Sequence, residues 1–205
     1  IPYWTVDIGG FSVPGRFSRK DPKPEDAEEW RELNARWFEY GTFLPLTRVH
    51  GEAPKREMWE MGGESHPAYQ AILKFDRLRY RMLPYVYSLA GAVTHEAGTF
   101  LRPLVMDFPK DAASRRVADQ FLFGPAFLVS PVTTHKARSR SLVLLQCNDA
   151  ACHLRDHSGR IARACGDIER TVCLADRQAV QQFGKIPRSE QPAAGAGFDR
   201  HIGIG

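Results

Sequence analysis

Two residues combine a reactive side chain with a position at which chemistry is commonly done. Asp7 follows the aromatic and β-branched run Tyr3-Trp4-Thr5-Val6 and directly precedes Ile8-Gly9-Gly10-Phe11, while His50 follows Leu46-Thr47-Arg48-Val49. A carboxylate can serve as nucleophile, acid, base or hydrogen-bond acceptor, and an imidazole can donate or accept near neutral pH. The glycines beside Asp7 let the backbone turn sharply and leave room for a ligand. Taken singly, a strand-end Asp or His is more often a satisfied structural polar group than a functional one. A third set, Cys147, Cys152, His153, His157, Cys165 and Cys173, has the side-chain types of a tetrahedral zinc site. Its spacing matches no standard finger, so no metal site and no cofactor are expected.

The elements that would position Asp7 and His50 follow from periodicity. Ile1 to Ile8 reads as a strand stopped by Gly9-Gly10. Pro24 suits the first turn of a helix, with Glu25, Asp26, Glu28 and Glu29 placing negative charge where the helix dipole favours it. Trp30, Leu33, Trp37 and Phe38 then recur on one face, and Gly41 supplies a stop, giving a helix of about four turns. Thr42 to Val49 reads as a second, buried strand. Strand, helix, strand is the parallel crossover, the repeating unit of α/β barrels and doubly wound sheets. In barrels, functional side chains gather at the C-terminal ends of the strands, which is where Asp7 and His50 stand. A further helical region starts near Ser65 and Pro67; Pro84 breaks it or begins a new helix, which ends near Gly98. From Thr99 the texture changes to short apolar runs, Phe100 to Phe108, Phe121 to Phe123, Ala126 to Val129 and Ser141 to Leu145, which read as strands of a small β domain.

Composition narrows the classes. The 43% hydrophobic and 25% charged content of the 205 residues is that of a globular protein, and no run approaches the roughly 18 apolar residues of a membrane span, so no membrane role is expected. The net charge of +4 is spread among interleaved acidic and basic residues, which argues against nucleic acid as a partner. Ile1 is preceded by no initiator Met or signal-like stretch and reads as a cut end, which leaves the compartment unreadable.

Specific motifs go further than periodicity. Pro2-Tyr3-Trp4-Thr5-Val6-Asp7-Ile8-Gly9-Gly10-Phe11, then Arg36-Trp37-Phe38-Glu39-Tyr40-Gly41-Thr42-Phe43-Leu44-Pro45 and Arg48-Val49-His50, resemble the last two barrel strands of glycoside hydrolase family 31. Arg79-Tyr80-Arg81-Met82-Leu83-Pro84-Tyr85-Val86-Tyr87, Arg102-Pro103-Leu104 and Phe123-Gly124-Pro125-Ala126-Phe127-Leu128-Val129-Ser130-Pro131-Val132 are similar to that family's final helices and proximal β domain. The blocks occur in the family's order.

The resemblance implies an α/β fold: the C-terminal part of a (β/α)8 TIM barrel at residues 1–97, the start of a small β-sandwich-like domain at 98–145, and an anomalous tail at 146–205. It also implies a retaining α-glycosidase acting on an oligosaccharide or α-glycoside. Such an enzyme needs two carboxyl groups about 5 to 5.5 Å apart. In this family both are aspartates on barrel strands preceding the Asp-Ile-Gly-Gly-Phe strand, so no catalytic residue is expected in this chain. Asp7 would be a pocket residue beside the acid, Phe11 would pack on the sugar, and His50 would hydrogen-bond its hydroxyls. Trp4 is expected in the core, and Arg48 is expected to pair with barrel carboxylates. Pro54-Lys55-Arg56-Glu57-Met58-Trp59-Glu60 resembles the α-xylosidase branch more than the α-glucosidase branch. The tail departs from the family pattern after Leu145 and lacks sustained periodicity, reading as disordered, out of frame or a divergent domain. A non-catalytic carbohydrate-binding or structural module is the alternative. Nothing in the sequence sets the oligomeric state.

Overall fold

The computed structural model describes residues 2–140 and the backbone of Val172–Leu174. The long helix α1 spans Pro24–Thr42, with Pro24 in its first turn and Glu25 and Asp26 near its positive end. Arg16 ties the entry loop to this turn, donating to Asp26 at 3.0 Å and to Glu29 at 2.7 Å. Helices α2, Pro67–Arg81, and α3, Leu83–Glu96, follow with only Met82 between them. Pro84 therefore begins a new helix, as a ring without an N–H can at a first turn. Ala97 closes α3 in the left-handed conformation, just before Gly98.

Gly41 does not stop α1. The helix continues through it, and a Cβ there would lie 2.5 Å from Ile8 Cδ1. Glycine is thus required because the first segment of the chain packs directly on the helix backbone. Gly41→Ala should destabilise the chain by about 1 to 3 kcal/mol, overpacking outweighing the 0.5 to 1 kcal/mol that alanine gains in a helix. Chemical denaturation checks this: a more stable variant would show that Ile8 can move aside.

The two expected strands are not regular strands. The segments containing them do run side by side in parallel, joined by Leu46 N–H to Trp4 O and Ile8 N–H to Arg48 O, both 3.3 Å, and by a single bridge between Ile8 and Val49. A ladder strand inside a parallel sheet bonds on both edges, and among the described residues each segment has one neighbour. Thr42 to Pro45 is instead used to close α1: Arg79, at the end of α2, donates to the carbonyls of Thr42, Leu44 and Pro45 at 2.9, 2.6 and 2.9 Å. These bonds replace the N–H donors that a helix end lacks.

The last described part is an antiparallel sheet in the order β1 Leu101–Pro103, β2 Phe121–Phe123, β3 Phe127–Val129, β4 Val172–Leu174. The run Phe100 to Phe108 gives only a short strand, because Leu104–Asp107 forms helix α4. Arg102 secures that bend by donating to Asp107 at 2.8 Å. Among the described residues there is one such sheet and no second sheet facing it. Ser141 to Leu145 and the Cys and His set of the tail lie outside the described residues, apart from the backbone of Cys173.

Phe121 and Phe123 pair with Val129 and Phe127 across a turn in which Gly124 has φ +59°. Tyr85 of α3 holds this turn, donating to Phe123 O at 2.9 Å and accepting from Ala126 N–H at 3.1 Å. Burial pushes its phenol up to about 12. The main core joins helices to sheet through Phe43, Phe75, Phe100, Phe123 and Phe127. A second core under α1 contains Phe17, Trp30, Met61 and Ile72.

One buried acid has a pH signature. Glu39 on α1 is 1% exposed; its Oε1 has no partner, and its Oε2 lies 3.7 Å from Arg36. Burial pushes its carboxyl from 4.5 up to about 7, outweighing the opposing charges of Arg36 and Lys74. The folded chain keeps this proton to about pH 7 and the unfolded chain releases it near pH 4.5. Stability should therefore be flat below pH 4.5, fall by on the order of 3 kcal/mol as pH rises to about 7, and remain at the lower value above. Urea midpoints at pH 5 and pH 8 read this directly. Glu39→Gln should flatten the slope, and an unchanged slope in that variant would assign the effect elsewhere.

Candidate functional site

The structure brings Phe11 and His50 together beyond the one bridge that pairs the two segments, and places Asp7 before it. The Ile8–Val49 bridge sets the register, so Asp7 and Arg48 precede it on their respective segments while Phe11 and His50 follow it. Gly10 N–H donates to Asp7 O at 2.7 Å, with Gly9 and Gly10 at φ +90° and +82°, and this turn carries Phe11 back over the second segment. There the Phe11 and His50 rings lie with centroids 5.5 Å apart and planes inclined at 43°. Glu52 N–H donates to Phe11 O at 3.0 Å, and Ser12 Oγ donates to Glu52 Oε2 at 3.2 Å. Phe11 is 47% exposed, and the His50 side of the pair is likewise open.

Asp7 is engaged, not free. Arg48 Nε donates to its Oδ1 at 2.8 Å and the Arg48 Nη2 joins it on the same oxygen. Arg48 thus pairs with a carboxylate, and that carboxylate is the candidate pocket residue itself. Trp4 is 44% exposed and does not belong to the core. Its backbone, through the bond to Leu46, is what the structure uses.

Sequence reasoning missed the polar groups beneath this surface. Asn34, 1% exposed, donates from Nδ2 to Trp30 O, and its Oδ1 faces Gly9. Arg56 is 6% exposed and donates to the carbonyls of Gly10 and Pro54 at 2.6 and 2.7 Å. Its guanidinium lies 5.3 Å from the Trp30 ring. Burial lowers its pKa, with Asp7, Glu57 and Glu52 acting the other way. The signal available in the sequence was the pair of glycines at 9 and 51, which leave space for a large neighbour.

A cavity of about 500 Å³ lies elsewhere, between α1 and the segment after β3, lined by Glu32, Arg36, Trp37, Tyr40, Phe121 and His135 among others. It contains none of the three candidate residues. Its carboxylates are already engaged, Glu29 by Arg16 and Asp119 by Arg140. Among the described residues no group of His, Cys, Asp and Glu could hold a metal ion, and no helix is long and apolar enough to cross a membrane.

Comparison with known proteins decides the family. The glycosyl hydrolases family 31 TIM-barrel domain matches residues 1–89, and the glycosyl hydrolase family 31 C-terminal domain matches residues 97–148. The chain belongs to glycosyl hydrolase family 31. An α-xylosidase of Saccharolobus solfataricus is 44% identical over 133 residues, 65% of this family 31 chain and 17% of that protein. The lysosomal α-glucosidase of Rattus norvegicus is 39% identical over 101 residues, 49% of this chain and 10% of that one. The crystal structure of an α-xylosidase of the same family from Xanthomonas citri superposes with a TM-score of 0.67 at 49% identity, covering 70% of this chain and 15% of that chain. The family 31 chain therefore spans less than a fifth of the length of these relatives. Within the family it is most like the α-xylosidases.

Proposed function

We propose that this chain supplies part of the substrate pocket of a retaining α-glycosidase, with an α-xyloside as substrate. Residues 1–97 would be the last two strands and helices of the catalytic barrel, 98–145 the start of the following β domain, and 146–205 an anomalous tail that departs from the family pattern. The observation that carries the proposal is the pairing of Phe11 with His50, an apolar ring and a hydrogen-bonding ring side by side on an open surface. A pyranose presents the matching features, C–H bonds on one face and hydroxyls around its edge. In this reading Phe11 packs against the sugar, His50 binds its hydroxyls, and Asp7, steadied by Arg48, stands beside the acid of the complete site. The α-xylosidase relatives support the choice of a sugar lacking the exocyclic hydroxymethyl group.

The test is a graft. Residues 1–97 replace the matching segment of the Saccharolobus solfataricus α-xylosidase, and kcat/KM is measured on aryl α-xylosides and aryl α-glucosides. Turnover with the xyloside preferred is the expected result. A folded chimera without turnover would remove the pocket assignment, and a preference for the glucoside would remove the substrate.

A further inference from the structure

Resting on that reading of the pocket, we infer that Arg56 is a positioning residue whose buried guanidinium holds the Phe11 turn and the His50 loop in one fixed relation. Its Nη2 donates to Gly10 O at 2.6 Å and reaches Phe11 O at 3.3 Å, on the turn that presents the Phe11 ring. Its Nη1 donates to Pro54 O at 2.7 Å, in the loop that leaves His50. One rigid planar fork thus contacts both pieces of backbone, a geometry the single point charge of a lysine cannot reproduce.

The glycines around it show how closely the chain is built to this side chain. A Cβ at Gly51, the residue after His50, would lie 2.5 Å from both Arg56 Cζ and Nη2, and 2.8 Å from Gly10 O. A Cβ at Gly9 would lie 3.0 Å from Arg56 Nε and 2.6 Å from Asn34 Oδ1. Both glycines have positive φ, so backbone conformation and the space for the guanidinium coincide. Trp30 stands on the other side, from α1, and the Glu52 N–H shares Phe11 O with Arg56. Arg56 reaches the ring pair only through the backbone that carries it.

The experiment uses nuclear magnetic resonance on the full chain. In the wild type the Arg56 Nη protons should give separate, slowly rotating signals, and the His50 ring should show contacts to the Phe11 ring. In Arg56→Lys, with helix content retained, these ring contacts should be lost and the His50 response to added D-xylose should weaken about 5- to 10-fold. In Arg56→Ala, millimolar guanidinium should restore the ring contacts, which a general loss of structure would not allow. A folded Arg56→Lys chain that keeps the ring contacts overturns the inference. So does a single averaged Nη signal in the wild type, a measurement that stands even where the variants do not fold. If the wild type shows held Nη groups and ring contacts but His50 ignores D-xylose, the sugar reading fails and the positioning by Arg56 stands.

Discussion

The purified 205-residue chain should hydrolyse neither aryl α-xylosides nor aryl α-glucosides above background, on the order of 10⁴-fold or more below a complete family member. Retaining hydrolysis needs one carboxylate to attack the anomeric carbon and a second, about 5 to 5.5 Å away, to protonate the leaving oxygen and then activate water. At the candidate pocket Asp7 is held by Arg48, and Glu52 receives Ser12. In the reading proposed above the two reacting aspartates belong to other barrel strands, and the chain matches 17% of the length of the Saccharolobus solfataricus enzyme. The measurement is initial rate against enzyme concentration, with an Asp7→Asn variant purified in parallel. Turnover that scales with concentration and disappears in that variant would show that this chain carries its own catalytic acid.

His50→Ala in the grafted enzyme should leave the melting temperature nearly unchanged and lower kcat/KM roughly 5- to 150-fold. This corresponds to about 1 to 3 kcal/mol for one hydrogen bond to a sugar hydroxyl. The small stability effect follows from exposure: His50 lies at the open end of the site, and its neighbour Phe11 is itself half exposed. The large kinetic effect follows if the bond strengthens as the sugar ring flattens toward an oxocarbenium-like transition state. Loss should therefore fall mainly on kcat. Phe11→Ala should raise KM more than it lowers kcat, because packing against the sugar face is present in the ground state as well. A His50→Ala enzyme with wild-type kcat/KM would return His50 to the role of a surface residue.

Local signals were legible where they were strong. Pro24 with the acidic turn after it marked the start of α1, Pro67 marked the next helix, Pro84 marked a break or a new start that the structure resolves as α3, and the Phe-rich runs marked β2 and β3. The parallel course of the first and second segments followed from the sequence, but the register did not: Asp7 and His50 read as equivalent ends, whereas the Ile8–Val49 bridge sets Arg48 level with Asp7 and leaves His50 beside Phe11. What escaped was long-range. Gly41 reads locally as a stop, and only the packed Ile8 shows why a glycine is wanted inside the helix. Arg56 reads as one charge in the mixed run Lys55-Arg56-Glu57, although it is nearly inaccessible and bonded to backbone more than forty residues away. Trp4 was misplaced because an aromatic in an apolar run is usually buried, whereas the structure uses that residue for its carbonyl. Glu39 sits on the same helix as the apolar stripe, and the stripe alone does not reveal that the helix is covered on this face too.

The three carbonyls of Thr42, Leu44 and Pro45 that converge on Arg79 have a mechanical consequence. They anchor the chain at Pro45, on the same post that joins the ends of α1 and α2. Beyond it, Leu46 to Glu52 forms a beam held at its far side where Arg56 donates to Pro54 O, and it touches the first segment at Trp4, Ile8 and Phe11. Displacement of its middle by a ligand must be taken up by bending within those seven residues, since the root cannot slide without breaking three hydrogen bonds together. His50 rides between these two held points, so the compliance of this short span sets how far the imidazole can follow a ligand that changes shape.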